Sequence, residues 1–225
     1  MVKVIYEDNH LLVVEKPVNI LSQGDNTNDD DMVNLLKKYI KEKYNKPGNV
    51  YLGLVHRLDR PVGGVMVFAK TSKAASRLSE QVRNKTFKKS YKAVIHGTMK
   101  RKSDMLEDYL YKNKKTNMVS VVSKNHKEGK FSQLYYETIG NKDGFSLVKI
   151  DLKTGRSHQI RVQFASRNHP LYGDQRYGQN VNKVGQQIAL WSNVIELVHP
   201  TTKEKMKFVC EPPNEYPWNL FSGVK

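Results

Sequence analysis

The stretch from Phe87 to Lys153 constrains the fold most, because β-branched and aromatic residues recur through it. Four runs in it are typical of strands, over residues 87–96, 117–123, 131–139 and 145–153. The turn-forming residues 141–144 join the last two runs and predict a β-hairpin. Strands that follow one another with few helices between them favour an α+β fold over a doubly wound one. We therefore expect a mostly antiparallel, mixed central sheet flanked by helices and loops.

Hydrophobic periodicity predicts further elements on both sides of this stretch. Additional strands are expected over residues 2–6, 11–14, 65–69, 187–198 and 205–210. Helices are expected over residues 33–44, after a cap at Thr71 or Ser72, and over residues 157–167 with Ser157 as the cap. We expect one compact domain over residues 1–225, since a chain of this length can bury an ordinary core.

Net charge is the compositional feature with the clearest bearing on function. The chain holds 38 Lys and Arg against 22 Asp and Glu, a formal charge of +16. Residues 81–130 alone contain fourteen basic and four acidic residues, so the excess is concentrated. A polyanionic partner such as RNA, DNA or an anionic membrane fits this excess. Lysine-rich loops that only maintain solubility fit it as well, so motifs have to decide.

Several classes of protein are disfavoured by composition. The single cysteine, Cys210, cannot form an internal disulfide, which suits a reducing cytoplasm. Acidic residues interrupt the apolar start of the chain before it reaches the length of a signal-peptide core. The longest apolar runs fall far short of the roughly 20 residues that span a bilayer. We expect a cytoplasmic protein without a membrane partner.

The segment His56-Arg57-Leu58-Asp59-Arg60 places four ionisable side chains between two apolar strands. Strand ends hold side chains on a rigid scaffold, and Pro61, Gly63 and Gly64 allow a tight reversal. A surface turn with a local Asp–Arg ion pair is the alternative interpretation, and this segment taken alone favours it.

A second polar cluster, residues 154–161, again lies between a strand and a helix. Its arginines, Arg156 and Arg161, are candidates to meet Asp59, since a forked guanidinium pairs well with a carboxylate. Contacts to phosphate alone are an equally good interpretation for a basic protein. Tyr91, at the start of a predicted strand, offers a ring that can stack on a base, although a core position is the commoner role of a tyrosine.

Taken in order, five motifs closely resemble the RluA-type family of RNA pseudouridine synthases, from Glu15 to about Trp191. The motifs are Glu15-Lys16-Pro17, HRLDRPVGG at 56–64 with Ala69-Lys70 after it, SYKAVIHG at 90–97, TGRSHQIRVQFAS at 154–166 and HPLYGDQRYG at 169–178. This chain departs from the family pattern after the second Arg of HRLDR, where Pro61-Val62-Gly63-Gly64 stands in place of Thr-Ser-Gly. The departure leaves Asp59 itself unchanged but bears on how the loop meets RNA.

The resemblance implies a role for individual residues. Asp59 corresponds to the catalytic aspartate, Arg161 to its salt-bridge partner, Tyr91 to the active-site tyrosine and Arg57 to an arginine that holds the flipped-out nucleotide. Four other residues of the two clusters are expected to contact RNA: His56, Arg60, Arg156 and His158. Many relatives carry an N-terminal S4 RNA-binding domain, and because the first motif starts at Glu15 we expect none here.

The implied activity is the isomerisation of uridine to pseudouridine in structured rRNA or tRNA, by a monomer that needs no cofactor and no metal. A non-catalytic RNA-binding or ribosome-assembly protein on the same fold is the main alternative, which loss of Asp59 would have favoured. A metal-dependent hydrolase or phosphotransferase is disfavoured, because arginines and no second carboxylate flank Asp59 in sequence.

Overall fold

A computed structural model describes residues 2–25, 27 and 29–224 of the chain. The β-strands are β1 Lys3–Glu7, β2 Leu11–Lys16, β3 Gly53–Leu54, β4 Gly63–Ala69, β5 Lys88–His96, β6 Ser103–Lys112, β7 Val119–Val122, β8 Lys130–Lys142, β9 Phe145–Leu152, β10 Leu190–Val198 and β11 Lys205–Val209. The α-helices are α1 Met32–Lys43, α2 Ser72–Arg83 and α3 Gln159–Ala165, and a short 3-10 helix covers Trp218–Phe221.

The chain divides into two compact units. Unit 1 comprises Met1–Lys89 and Ser192–Glu211, and unit 2 comprises Ser90–Trp191 and Pro212–Lys225. Within unit 1 the strand order is β1-β2-β4-β10, with β3 paired to β4 and β11 paired to β10. Within unit 2 the order is β5-β9-β8-β6-β7. The pairs β1–β2, β2–β4, β10–β11, β6–β7, β6–β8 and β8–β9 are all antiparallel, which confirms the predicted α+β fold.

Unit 1 is built around the apolar face of α1. The buried residues Leu36 and Ile40 of this helix pack with Leu12, Met66 and Phe68 of the neighbouring strands. Asp31 caps the helix, because its side chain accepts a hydrogen bond from the Asn34 amide at 3.1 Å. The predicted cap of α2 is confirmed at Thr71, whose hydroxyl accepts from the Ala74 amide.

Unit 2 contains a strand that the sequence analysis missed. In β6 only Leu106 and Leu110 are fully buried apolar residues, and Asp108 interrupts the apolar signal between them. The β8–β9 hairpin is confirmed, and its turn residues Asp143 and Gly144 both have positive φ angles, as a tight two-residue turn requires.

Two further observations complete the fold. The predicted cap of α3 was wrong: the helix begins after His158, whose φ of +50° is left-handed and whose side chain makes no capping hydrogen bond.

None of the helices in residues 2–25, 27 and 29–224 is long and apolar enough to cross a bilayer.

Candidate active site

Asp59 lies in unit 1, on the loop that connects β3 to β4. Exposure alternates along the loop: His56 and Leu58 are buried, Arg57 and Arg60 are exposed, and Asp59 is half-buried. The carbonyl oxygen of Asp59 accepts a hydrogen bond from the Val62 amide at 3.0 Å, which closes a tight turn. The loop therefore buries His56 and Leu58 while Asp59 between Leu58 and Arg60 stays half-buried.

Lys16 supports this turn from the end of β2. Its side chain is fully buried, and Nζ donates to the carbonyl oxygens of Pro17 (2.9 Å), Arg60 (3.0 Å) and Val62 (2.8 Å). Burial lowers the pKa of Lys16 to about 7, and the nearby negative charge of Asp59 opposes that shift. The hydrogen bonds of this buried Nζ to Arg60 and Val62 hold the residues that follow Asp59 in one conformation.

Ser22 makes a second set of contacts to the same loop. Its hydroxyl donates to the Leu58 carbonyl oxygen at 2.7 Å and accepts from the Leu58 amide at 3.0 Å. Both backbone polar groups of the residue before Asp59 are satisfied by one buried side chain. Together with Lys16, Ser22 makes the backbone around Asp59 rigid on both sides.

The other ionisable residues of the loop have distinct surroundings. His56 is buried, its Nε2 accepts from the Val67 amide at 3.0 Å, and burial beside the positive Lys89 lowers its pKa to about 3. The ring is therefore neutral and contributes to the scaffold. Arg60 pairs with Asp29 at 2.7 Å across an exposed surface and donates to the Asn19 carbonyl oxygen. Arg57 projects outward from the loop and is exposed.

Gly64, the second residue of β4, occupies a position that only glycine can take. Its φ is +113°, and a Cβ atom placed there would lie 2.3 Å from the carbonyl oxygen of Ser192. Only glycine permits this approach of β4 to β10 immediately after the Asp59 turn.

Arg161 lies in unit 2, on the buried face of α3. Its Nε donates to Asp174 Oδ2 at 2.8 Å and its Nη2 donates to Asp174 Oδ1 at 2.7 Å. The Asp174 side chain is fully buried, which by itself raises the pKa of the carboxyl group. The ion pair with Arg161 and the amides of Arg176 and Tyr177 outweigh burial and hold the pKa of Asp174 below its usual value. Asp174 is therefore a stable anion.

Tyr177 extends this arrangement. Its ring centroid lies 5.2 Å from Arg161 Cζ, a cation–π contact. Its hydroxyl oxygen lies 2.7 Å from Nδ1 of His158 and accepts from the Val119 amide at 2.9 Å. Two of the residues predicted from TGRSHQIR, His158 and Arg161, thus share one tyrosine.

The remaining predicted residues of unit 2 have different positions. Arg156 is exposed and donates through Nε to the Phe131 carbonyl oxygen at 3.0 Å. Tyr91 is on β5 and only 5% exposed. Neither residue is in the Arg161–Asp174 ion pair.

Lys16, Asp174 and Tyr177 received no role in the sequence analysis, although each belongs to a motif quoted there. Their presence in Glu15-Lys16-Pro17 and HPLYGDQRYG was the available signal. No group of three or more His, Cys, Asp or Glu side chains in the described part of the chain is arranged to hold a metal ion.

Sequence comparison finds a family and relatives for this chain. A sequence profile of the family described as RNA pseudouridylate synthase matches residues 10–166. A ribosomal large subunit pseudouridine synthase C of Buchnera aphidicola is 34% identical over 215 residues, which are 91% of this chain and 65% of that protein. The uncharacterized RNA pseudouridine synthase YhcT of Bacillus subtilis is 33% identical over 213 residues, which are 93% of this chain and 68% of that protein. The chain thus spans about two thirds of the length of these relatives.

Solved structures agree at the level of the fold. Human RNA pseudouridylate synthase domain containing 4 superposes with a TM-score of 0.78 at 20% identity, covering 94% of this chain and 88% of that one. Human RNA pseudouridylate synthase domain containing 1 gives a TM-score of 0.75 at 20% identity, covering 97% and 86%. The fold is thus the one found in pseudouridylate synthase domains.

By sequence, the chain belongs to the RNA pseudouridylate synthase family. This membership confirms the resemblance inferred from the motifs.

Proposed function

We propose that this protein is an RNA pseudouridine synthase that isomerises uridine in large-subunit ribosomal RNA, with Asp59 as its catalytic carboxylate. The observation that carries the proposal is the Asp59 turn itself: a half-buried carboxylate on a backbone held by Lys16 and Ser22. A reacting group held by rigid supports is what a site of defined geometry requires. Family membership and the name of the Buchnera relative support the choice of RNA.

The reaction changes bonds without gain or loss of atoms. The N1–C1′ bond of uridine breaks, a C5–C1′ bond forms, the proton at C5 leaves and N1 takes up a proton. Because the product is an isomer, no redox cofactor is needed. Asp59 serves as the nucleophile or the base in this sequence of steps, while Tyr91 packs on the base or assists removal of the C5 proton.

Binding of the target nucleotide falls to the basic residues. Extracting a base from a stem costs a few kcal/mol, and stacking on an aromatic ring offsets a similar amount. Arg57 is exposed on the Asp59 loop and is proposed to hold the extruded nucleotide. Exposed Arg60 and Arg156, and the half-buried His158, are proposed to contact the RNA backbone. His56 is proposed to act on RNA only through the loop, because its ring is buried.

We further propose that residues 1–225 act as one catalytic domain, as a monomer in the cytoplasm. The excess of positive charge supports a polyanionic partner for this domain. A single cooperative unfolding transition and a monomer mass in solution are the expected results; separate transitions or a dimer would contradict this organisation.

Release of tritium from 5-³H-uridine RNA tests the assignment of Asp59. Asp59→Asn should abolish release while RNA affinity stays within about threefold, because phosphate contacts dominate binding. Asp143→Asn is the matched control, since it removes an exposed carboxylate from the β8–β9 turn where asparagine suits the left-handed backbone. Near-normal release by Asp59→Asn would refute its catalytic role, and RNA binding without any release by the wild type would favour the non-catalytic alternative.

Mapping of pseudouridines in total RNA, with and without the gene, tests the target. Loss of one or more sites in large-subunit rRNA is expected. Loss confined to tRNA would overturn the proposed substrate and leave the chemistry intact.

A further inference from the structure

We propose that Asp174 and Tyr177 are positioning residues that hold the Arg161 guanidinium in the orientation it needs for turnover. The inference rests on the proposed function and on the catalytic role that the family resemblance implies for Arg161. It assigns roles to two residues of HPLYGDQRYG that the proposed chemistry does not use directly.

The first support is the geometry of the ion pair. Asp174 receives hydrogen bonds from Nε and Nη2 of Arg161 at 2.8 and 2.7 Å, one on each carboxylate oxygen. Two roughly parallel bonds between planar groups define the plane of the guanidinium as well as its position. A single hydrogen bond would leave the guanidinium able to rotate about the donor–acceptor axis.

The second support is that Asp174 is itself immobilised. Its Oδ1 also accepts from the amides of Arg176 (2.9 Å) and Tyr177 (3.1 Å), and its backbone carbonyl accepts from the amide of Gly178 (3.0 Å) and from Nδ2 of Asn182 (3.3 Å). These bonds exist independently of the Arg161 side chain. The carboxylate is therefore held in place before the guanidinium meets it.

Tyr177 supplies the third support by covering the guanidinium. A ring centroid 5.2 Å from Cζ is within the range of a cation–π contact. The hydroxyl is held by the Val119 amide and by His158, so the ring cannot swing away without breaking both contacts. Two in-plane bonds and one ring together fix the orientation of the Arg161 side chain.

Burial of this ion pair is better explained by orientation than by stability. The exposed fractions of the two side chains are 8% for Arg161 and 0% for Asp174. Removing two charges from water offsets most of the attraction between them, and apolar replacements of buried pairs are often neutral or stabilising. A role in orienting the guanidinium accounts for the burial of this pair. Asp174 accepts four further hydrogen bonds, two through its carboxylate and two through its backbone carbonyl oxygen.

Steady-state kinetics of tritium release with the full chain tests the proposal. Asp174→Asn should lower kcat about 100-fold with KM within about threefold, because a catalytic group misplaced by about 1 Å loses that much rate. Asp108→Asn is the matched control: Asp108 pairs with Arg167, just after α3, at 2.9 Å and accepts from Gln163 Nε2 at 2.7 Å, whereas the carboxylate bonded to the Arg161 Nε is that of Asp174. It should leave kcat within about twofold.

A double-mutant cycle distinguishes action through Arg161 from a general loss of structure. Arg161→Met alone and Asp174→Asn with Arg161→Met should show the same kcat, because Asp174 has nothing to orient once the guanidinium is gone. Multiplicative losses in the double variant would overturn the proposal. So would a folded Asp174→Asn enzyme with wild-type kcat.

Tyr177→Leu keeps the proposal testable if Asp174→Asn does not fold. It removes the ring from the guanidinium without leaving a charge unpaired, and kcat should fall about tenfold with KM little changed. Unchanged kcat in that variant would overturn the role of Tyr177 and, where Asp174→Asn is unfolded, the proposal as a whole. An active wild type with unimpaired variants refutes this inference alone, whereas an inactive wild type refutes the proposed function and this inference together.

Discussion

Lys16 Nζ donates to the carbonyl oxygen of Val62 at 2.8 Å, and this bond joins two residues 46 positions apart in the sequence. The same Nζ also donates to the Arg60 carbonyl oxygen, so the residues after Asp59 are held from the end of β2. A motif residue that pattern analysis passes over is thus a principal support of the candidate catalytic loop.

Replacing Lys16 with Met should destabilise the protein and reduce turnover. The change removes the buried Nζ that donates to three carbonyl oxygens. Leaving these oxygens without that partner should lower the free energy of unfolding by about 1–3 kcal/mol. Chemical unfolding and tritium release measure the two effects. Lys114→Gln, on an exposed turn, is the control and should change neither. Wild-type turnover in Lys16→Met would show that the support is dispensable.

The stability of the wild type should rise with pH relative to Lys16→Met between about pH 7 and pH 10.5. Burial lowers the pKa of Lys16 to about 7, whereas the unfolded chain holds its proton to about pH 10.5. The unfolded state binds more protons in this window, so stability increases with pH by up to about 1.4 kcal/mol per pH unit. Unfolding curves at a series of pH values measure the difference. Parallel curves would mean that Lys16 is charged in the folded protein throughout.

Glu7 should make the protein sensitive to acid. Burial alone raises the pKa of Glu7, but hydrogen bonds from Lys43 and Lys70 (2.7 Å each) and from the hydroxyls of Tyr44 and Tyr39 lower it to about 2. A depressed carboxyl pKa contributes stability above about pH 4.5, and that contribution is lost as the pH falls toward 2.

Comparison with Glu7→Gln measures this contribution. The wild type should be more stable by about 1–3 kcal/mol at neutral pH, and the advantage should shrink below pH 4.5. Glu42→Gln is the control, because Glu42 is exposed and lies 4.0 Å from Lys38. A stability difference that does not change with pH would show that hydrogen bonds from Lys43 and Lys70 do not lower the pKa of Glu7.

Gly64→Ala should prevent stable folding, whereas Gly48→Ala should not. Both glycines have positive φ angles, so both variants carry a backbone penalty of about 1–2 kcal/mol. At Gly64 a Cβ would also lie 2.3 Å from the Ser192 carbonyl oxygen, while at Gly48 nothing lies within 4 Å. The soluble yield and the thermal midpoint of each variant separate the two effects. Equal destabilisation would show that contact with β10 is not the constraint.

Arg161→Lys should reduce turnover strongly despite conserving charge. An ammonium is a point charge and cannot reproduce the two parallel bonds to Asp174 or the flat contact with Tyr177. Loss of kcat with little change in RNA affinity is expected in the tritium assay. Arg77→Lys is the control, because Arg77 donates to the Pro200 carbonyl oxygen. This variant should keep the wild-type kcat. Wild-type turnover by Arg161→Lys would remove Arg161 from the site.

Local patterns in the sequence determined much of the secondary structure and the family. The β8–β9 hairpin, the Thr71 cap and the amphipathic α1 follow from residues close together in the chain, and all three are present. The motifs around Asp59 and Arg161 needed only their order and spacing to indicate a pseudouridine synthase. Strand β6 escaped prediction because Asp108 interrupts its buried face and pairs with Arg167, 59 residues away.

Only the tertiary structure decided which polar side chains support the candidate catalytic residues. Lys16 under the Asp59 turn, and Asp174 and Tyr177 around Arg161, are contacts between segments that are apart in sequence. Burial of a lysine or an aspartate is stable only when specific partners satisfy it, and composition or periodicity carries no record of those partners. The sequence therefore identified the groups proposed to react, and the fold identified the groups that hold them.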